Sequence, residues 1–242
     1  MVDKQATVIR AMFNSIAWRY DFANHLLSLG VDRLWRKRLV RRLSRHFSGD
    51  IPQILDVCCG TGDLALELSA LGPVFGADFA HFMLLRALQK GRSRSSPSYP
   101  LHWVETDALA LPFAAGRFDL VSAAFGIRNF ASLEEGIREL ARVLRPGGVL
   151  AVLEFSMPRG ILFPALYRFY FRNILPRIGG LVTGNEAAYR YLPASVHLFS
   201  SPAEIRALLQ RFGLTPLSVE SWTGGIAACY LAQKDSPPAK PA

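Results

Sequence analysis

Residues 55–65, LDVCCGTGDLA, constrain the fold of this chain more than any other stretch. An apolar run reaches Asp56, a turn carries Gly60 and Gly62, and helix-forming residues follow. Glycines can adopt positive φ and let a bulky ligand lie against the backbone, where the N–H groups of the next helix can donate. The pattern predicts a strand, a glycine turn and a helix that grip a nucleotide-like cofactor; a turn without a ligand is the alternative.

Strand-like and helix-like segments alternate after this turn. The predicted strands are 74–79, 101–108, 118–125 and 149–155, with two more from LTPLSVESW and GGIAACYLAQK. The predicted helices are 80–91, 132–144 with Ser132 as its N-cap, and 201–213. Such a βαβ series predicts one α/β domain with a seven-stranded, mostly parallel sheet, helices on both faces, and a ligand at the carboxyl ends of the strands.

Segments on either side of this series complete the domain. Residues 1–50 form a predicted helical cap, with Asp32 as the N-cap of an arginine-rich helix. The core spans 51–234 and includes a predicted lid at 161–199, which is too long and too aromatic for a simple connection. Residues 235–242, DSPPAKPA, are predicted to be disordered.

The net charge of +9 is concentrated ahead of the first predicted strand. Residues 1–50 hold ten Lys and Arg against four Asp, which gives +6 of that charge. The excess indicates an acidic partner, either nucleic acid or anionic lipid, with a solvated helix face as the alternative. The three cysteines fit neither a disulfide framework nor a zinc site, so we expect no metal and a reducing cytoplasm.

Acidic residues follow successive predicted strands at the edge where the glycine turn lies. Asp78 ends the second strand and Asp107 ends the third. A carboxylate at the end of the second strand can accept hydrogen bonds from both hydroxyls of a ribose, which suits any adenosine cofactor. The GTGDLA turn also fits the GxGxxA dinucleotide fingerprint, so an NAD-dependent oxidoreductase is an alternative, although no hydride-transfer site is recognisable.

Residues 53–156 resemble the class I S-adenosylmethionine-dependent methyltransferases in the order and spacing of their motifs. TDALALPFAAGRFDLV and LARVLRPGGVLAVLEF carry this resemblance together with the glycine turn. One departure is Cys58, where many members of the class have another glycine. The resemblance implies a Rossmann-like sheet and S-adenosylmethionine as the cofactor.

Four further stretches resemble the menaquinone and ubiquinone C-methyltransferase family from about residue 10 to residue 230. They are MFNSIAWRYDFANHLLSLGVDRLWRK, AAFGIRNF, LEFSMP and LPRIGGLVTGNEAAYRYLPASVHLF. This resemblance implies methylation of a prenylated quinol, with demethylmenaquinol as the expected substrate and ubiquinone-pathway or phylloquinone-pathway quinols as alternatives. The sequence has no Asn-Pro-Pro-Tyr type motif or zinc module, so nucleic acid is not an expected partner.

The same resemblance, with the residues themselves, indicates individual roles. The residues expected to bind the cofactor are Tyr20, Gly60, Thr61, Gly62, Asp78, Asp107, Ala108 and Ala124, the last replacing a frequent serine of the family. Arg128 and Asn129 are the expected catalytic residues, because a guanidinium can stabilise a developing aryloxide. Pairing of Arg128 with Glu134 is the structural alternative. Tyr189 and Tyr191 are expected to wall the substrate ring, with loop packing as the alternative.

Residues 161–178, ILFPALYRFYFRNILPRI, combine apolar and aromatic side chains with Arg168 and Arg172, one helical turn apart. This pattern favours a helix at a membrane interface, where a prenylated quinol is found, over a spanning helix. Packing of this face on the domain, or on a second subunit of a homodimer, is the alternative. We therefore expect a cytoplasmic protein with peripheral contact to the anionic inner face of the cell membrane.

Overall fold

Seven strands form a single sheet in the computed structural model, which describes residues 5–93, 98–158, 167 and 169–236. The strands are β1 (Ile54–Val57), β2 (Val74–Asp78), β3 (Leu101–Glu105), β4 (Phe118–Ala124), β5 (Leu144–Phe155), β6 (Leu214–Trp222) and β7 (Ala227–Lys234). Their order is β3-β2-β1-β4-β5-β7-β6, and only β7 pairs antiparallel with its neighbours. The prediction of a seven-stranded, mostly parallel sheet is confirmed.

Helices cover both faces of this sheet. They are α1 (Ala6–Ile16), α2 (Tyr20–Leu27), α3 (Val31–His46), α4 (Asp63–Leu68), α5 (His81–Ser93), α6 (Leu133–Val143), α7 (Leu175–Thr183), α8 (Glu186–His197) and α9 (Pro202–Arg211). Successive residues of a strand point to opposite faces. Ile54 accordingly packs with Leu39 of α3, whereas Leu55 packs with Leu140 of α6, and all four are fully buried.

Two helix starts show how the sequence sets element boundaries. Ser132 caps α6 by accepting from the Glu135 N–H, as predicted. The prediction of Asp32 as the N-cap of α3 is wrong, because Gly30 holds that position in a left-handed conformation. Asp32 lies in the first turn instead, where it is buried and accepts from Ser28 and Arg36.

Two predicted boundaries shift slightly. The strand predicted at 101–108 ends at Glu105, because the Asp107 carboxylate accepts from the Leu109 N–H at 2.9 Å and turns the chain. The prediction of disorder from residue 235 onward is wrong at Asp235, because its N–H donates to the Gly213 carbonyl at 2.9 Å. Residues 237–242 lie outside the described residues.

The cap and the lid share one apolar cluster, which also contains the start of α5. A π-helical turn, Tyr170–Ile174, precedes α7 and contributes Phe171, which is 7% exposed and packs with Leu27 of α2 and Tyr189 of α8. Residues 159–166 and 168, which include seven of the eighteen residues of the predicted interfacial stretch 161–178, lie outside the described residues. Of the two phenylalanines in the described part of that stretch, Phe171 belongs to the core, whereas Phe169 is 57% exposed. None of the helices in the described part of the chain is long and apolar enough to cross a membrane.

Candidate active site

The turn after β1 brings backbone close to two neighbouring elements and leaves one open side. Gly60 and Gly62 have φ of 54° and 81°. A Cβ on Gly62 would lie 2.6 Å from the Trp103 ring and 3.0 Å from the Ala87 Cβ, so only glycine fits there. A Cβ on Gly60 would meet nothing within 4 Å. The turn therefore packs tightly at Gly62 and leaves room for a ligand at Gly60.

Cys58 occupies the same left-handed region, with φ of 55°, although it is not a glycine. Its side chain lies against Gly126, where an added Cβ would come within 2.3 Å of the Cys58 Cβ. Burial raises the pKa of the Cys58 and Cys59 thiols well above their usual range, so both stay protonated. These thiols therefore fill space in the turn and do not serve as nucleophiles.

Asp78 ends β2 beside this turn, as predicted. Its two carboxylate oxygens accept from the Gly60 N–H at 2.9 Å and from the Ala80 N–H at 2.8 Å. Burial raises the pKa of the Asp78 carboxyl to about 6. Each oxygen keeps a second lone pair, so the carboxylate is held in a fixed orientation and can still accept from a ribose.

Two cavities meet at the carboxyl edge of the sheet. The smaller one is lined by Asp78, Asp107, Ala108 and Asn129, and the larger one, of about 640 Å³, by Thr61, Arg128, Tyr189 and Tyr191. Both cavities are lined by Phe13, Tyr20, Cys58, Gly60, Ala124 and Phe125. The structure thus brings the predicted site residues together around two adjoining spaces, apart from Gly62, whose role is packing.

Arg128 lies on a short 3-10 turn after β4 and is only 4% exposed. Its guanidinium donates to the Glu154 carboxylate at 2.8 Å and to the Phe125 carbonyl, and it lies 5.4 Å from the centre of the Phe155 ring. The alternative pairing with Glu134 is wrong, because Glu134 forms an exposed ion pair with Arg211. The Arg128 Nε has no hydrogen-bond partner among the described residues. A buried cation with an unused donor therefore lies on the wall of the larger cavity.

Asn129 and the two lid tyrosines divide between the cavities. The Tyr191 hydroxyl donates to the Asn129 side-chain carbonyl at 2.9 Å and so joins the lid to the turn after β4. Tyr189 is 2% exposed and packs against Gly179, where a Cβ would come within 2.3 Å of its ring. Its hydroxyl has no partner within the described ranges. Both tyrosines line the larger cavity, so lid packing and cavity walling occur together.

Asp56 was missed by the sequence reasoning, which treated it as part of an apolar strand. It is 1% exposed and lines the larger cavity. One carboxylate oxygen accepts from Ser122 at 2.7 Å, and the other has no partner in the described part of the protein. Burial raises the pKa of this carboxyl to about 7. An unpaired carboxylate beside the glycine turn fits a cofactor that carries positive charge, as S-adenosylmethionine does on its ammonium and sulfonium groups.

Thr61 takes part in a network of charged groups that ties the cap to the glycine turn. Its hydroxyl donates to Asp21 of α2, which also accepts from Lys90 of α5 at 2.9 Å. Asp63 accepts from Lys90 and, at 2.9 Å, from Arg36 of α3. Partly buried pairs of this kind hold α2 and α3 against the cofactor turn.

The sequence is similar to a characterised family along nearly its whole length. The model of the ubiE/COQ5 methyltransferase family matches residues 1–234. The demethylmenaquinone methyltransferase of Thermus thermophilus is 46% identical over 226 residues, which are 92% of this chain and 100% of the relative. The enzyme of the same name from Deinococcus radiodurans is 42% identical over 96% of this chain and 95% of the relative. The ubiquinone/menaquinone biosynthesis C-methyltransferase UbiE of Geotalea uraniireducens is 44% identical over 93% and 96%.

The fold is similar to solved structures of S-adenosylmethionine-dependent enzymes. Magnesium protoporphyrin IX methyltransferase from Synechocystis PCC 6803 with bound SAH superposes with a TM-score of 0.67 at 19% identity, over 96% of this chain and 100% of that one. The same enzyme with bound SAM gives 0.66 at 17% identity, over 97% and 99%. At this identity the likeness shows the fold alone, which is the class I methyltransferase fold predicted from the motifs.

Proposed function

Because this chain belongs to the ubiE/COQ5 methyltransferase family, we propose that it methylates a ring carbon of a prenylated quinol, with demethylmenaquinol as substrate and menaquinol as product. The family and the fold identify the chain as an S-adenosylmethionine-dependent methyltransferase. An NAD-dependent oxidoreductase is not favoured, since the relatives are methyltransferases. The observation that carries the choice of substrate class is the buried Arg128 on the wall of an apolar cavity beside the cofactor turn.

The two adjoining cavities allow the reacting atoms to be held in line. When bound, S-adenosylmethionine supplies an electrophilic methyl group on its sulfonium. Asp78 and Asp56 are placed to hold the ribose and the positively charged end of this cofactor, and the shared wall at Tyr20 and Ala124 lies between the cavities. Holding two reactants in one geometry removes much of the entropic barrier to their reaction.

Arg128 supplies the electrostatic part of the mechanism. A quinol ring becomes more nucleophilic as one of its hydroxyls loses a proton, which leaves a negative charge on that oxygen. The Arg128 guanidinium, already desolvated and oriented by Glu154, stabilises this aryloxide without reorganising. Aromatic side chains such as Phe125 and Phe155 line the cavity beside Arg128, and the low local dielectric there strengthens that interaction. Glu154 thus acts on the reaction through Arg128, as a positioning residue.

The proposal is tested by supplying the purified protein with S-adenosylmethionine and a panel of acceptors. We expect methylation of a reduced demethylnaphthoquinol, detected as a mass increase of one methylene, and weaker turnover of benzoquinols. The oxidised quinone is the matched control, because it has no hydroxyl to become an aryloxide and should not react. Methylation of neither quinol would contradict the proposed function.

The proposal includes a cytoplasmic protein that contacts the inner face of the cell membrane. The thiols of all three cysteines are free, as suits a reducing compartment. On α3, one stripe of basic side chains at four-residue spacing is exposed, namely Arg33, Lys37, Arg41 and Arg45. By contrast, Arg36 pairs with Asp32, and Arg42 pairs with Glu220. Each exposed basic residue near anionic lipid contributes about 1 kcal/mol at low salt.

Liposome co-sedimentation tests this contact. We expect binding to anionic vesicles that weakens with salt and with Lys37→Ser plus Arg41→Ser, and no binding to neutral vesicles. Arg138→Ser plus Arg206→Ser is the matched control, because it removes the same charge from exposed sites on α6 and α9, across the sheet. If both double variants weakened vesicle binding equally, the binding would depend on net charge alone and not on the exposed stripe of α3. The homodimer stays a prediction that sedimentation of the lipid-free protein tests.

A further inference from the structure

The larger cavity reaches the protein surface between the end of α2 and α7. Three of its lining side chains are well exposed: Leu26 by 43%, Leu29 by 88% and Ile178 by 37%. Tyr189, which lines the same cavity, is 2% exposed. The exposed apolar side chains therefore mark where the cavity opens. We propose that this opening, the tail portal, is where the prenyl tail of the quinol leaves the protein, and that the three side chains bind it. The inference rests on the proposed function and adds the route of the tail.

The backbone at Leu29 supports a ligand at this place. Leu29 has φ of 52°, although leucine is strongly disfavoured in the left-handed region. It is also the most exposed large apolar side chain among the described residues. Asparagine or glycine would suit the conformation better, and a polar side chain would suit the exposure better. A residue that is unfavourable on both counts in the free protein is explained by an apolar ligand that covers it.

An aromatic wall lines the larger cavity beside Arg128. Arg128 lies over the Phe155 ring, which is 4.5 Å from the Phe125 ring. The Trp35 ring follows, 5.9 Å from Phe125 and 6.2 Å from Phe155. The only polar group of the Trp35 side chain, its N–H, donates to the Thr223 hydroxyl at 2.9 Å and so already has a partner. The wall thus offers apolar contact to a chain that extends from a ring held at Arg128, within the same cavity that opens at Leu29 and Ile178.

The size of the cavity indicates that only part of the tail is enclosed. A volume of about 640 Å³ falls within the range of roughly 300–1,000 Å³ that small-molecule ligands occupy. The charged end of the cofactor takes the part of this space beside Asp56, so the remainder can bury the ring and the first tail units. A longer tail then has to pass out between Leu29 and Ile178. The Tyr170 hydroxyl donates to the Leu27 carbonyl at 2.7 Å and fixes the π-helical turn against the end of α2, next to this opening.

Tail-length dependence of turnover tests the portal. Wild-type protein and the Leu26→Ser plus Ile178→Ser variant are compared on demethylnaphthoquinols with no tail, one isoprene unit and several units. We expect kcat/KM for the long-tailed quinol to fall about tenfold, equivalent to roughly 1.4 kcal/mol, and kcat/KM for the tail-less quinol to change less than twofold. The Leu217→Ser variant alters a leucine of β6 that is 47% exposed and should change neither value.

Leu29→Asn is a second test, in which stability should rise while turnover of the long-tailed quinol falls. We expect its thermal unfolding midpoint to rise by about 1–4 °C, because asparagine tolerates the left-handed conformation. At the same time, kcat/KM for the long-tailed quinol should fall, with tail-less turnover unchanged. Equal losses for all tail lengths, or no loss for any, would overturn the portal. If wild-type protein methylated no quinol at all, the proposed function itself would fail, and the portal with it.

Discussion

The two halves of the site are built in different ways. In the cofactor half, the groups that face the ligand are the backbone of one turn, open at Gly60, and the carboxylates of Asp78 and Asp56 on β2 and β1. Asp78 is held by the Gly60 and Ala80 N–H groups, and Asp56 by Ser122. In the substrate half, they are side chains of α2, α3, α7, α8 and the turn after β4, held by a few long-range contacts such as Tyr191 to Asn129. The first half depends on local backbone geometry, and the second depends on how helices distant in sequence pack.

This difference has an energetic consequence. A substitution in the cofactor half should change affinity for S-adenosylmethionine and leave the chemistry alone. A substitution in the substrate half should change turnover and leave that affinity alone. Four experiments can break this separation or make it quantitative.

Removal of the Arg128 guanidinium should have the largest effect. We expect Arg128→Ala to lower kcat by about 10²–10³-fold, as for other charge-stabilising donors, with the dissociation constant of S-adenosylmethionine changed less than threefold. Asn129→Ala should lower turnover less. Steady-state kinetics and calorimetry measure these quantities. A loss of cofactor affinity in step with turnover would show that the two halves are not separate.

The buried ion pair requires a control for stability. Substitution of Arg128 alone or of Glu154 alone leaves an unpaired buried charge and should lower the free energy of unfolding by about 3–5 kcal/mol. Arg128→Met with Glu154→Leu removes both charges, so denaturation should show stability restored while turnover stays lost. Recovery of turnover in the double variant would exclude an electrostatic role for Arg128.

Asp78→Asn tests the cofactor half. We expect S-adenosylmethionine to bind more weakly by about 1.5–3 kcal/mol, because a charged acceptor for the ribose becomes neutral, with kcat at saturation unchanged. Asp119→Asn is the matched control. Asp119 is as buried as Asp78, each being 8% exposed, but it lies at the start of β4, where it pairs with Arg145. A similar loss of affinity in both variants would indicate a general loss of structure.

The pH dependence of cofactor binding should follow from Asp56. Its pKa of about 7 means that half of the free protein carries a neutral Asp56 at neutral pH. A cationic cofactor favours the ionised form, so affinity should fall about tenfold from pH 8 to pH 6, and binding near pH 7 should release about half a proton per molecule bound. Calorimetry in buffers of different ionisation enthalpy measures that release, and Asp56→Asn should abolish it.

The stability of the cofactor-free protein should respond to pH in the opposite direction. A carboxyl whose pKa is raised from 3.8 to about 7 contributes stability that is fully present below the lower value. That contribution is lost as pH rises through 7. In the binding measurement, by contrast, an affinity for S-adenosylmethionine that stayed constant with pH would place the cationic end of the cofactor away from Asp56.

Tyr191→Phe should have the smallest effect. Loss of its hydrogen bond to Asn129 is worth about 0.5–1.5 kcal/mol, so we expect turnover to fall several-fold with cofactor affinity unchanged. Tyr189→Phe is the control on the same helix, because its hydroxyl has no partner among the described residues and its removal should be nearly neutral. Equal effects of the two substitutions would contradict a special role for the Tyr191 contact.

The sequence predicted the local geometry of the cofactor half well because its determinants lie close together in the chain. The glycine turn, the carboxylate at the end of β2 and the Ser132 cap each depend on a few consecutive residues. It missed Asp56 and gave little weight to Glu154, although both interrupt otherwise apolar strands. A carboxylate in a strand buried on both faces needs a partner or a ligand, and that signal was available.

The substrate half was less predictable because its contacts join distant elements. Arg128 was expected to face the substrate, with pairing to Glu134 on the next helix as the alternative. The carboxylate it pairs with is instead Glu154, 26 residues away on β5. The aromatic stretch of the lid was expected to present one face to lipid. Phe171 instead faces α8 while Phe169 faces solvent, and only the packing of the lid on the cap determines which is which.

Cys58 and Gly126 together limit how this sequence can evolve. The left-handed backbone at Cys58 aims its side chain at Gly126, so any other residue at 126 would collide with it. Cys58→Gly would relieve the strained conformation and open the space, after which Gly126→Ala could be tolerated. The reverse order passes through a protein with both obstacles in place. We therefore expect substitution at position 58 to come before substitution at position 126.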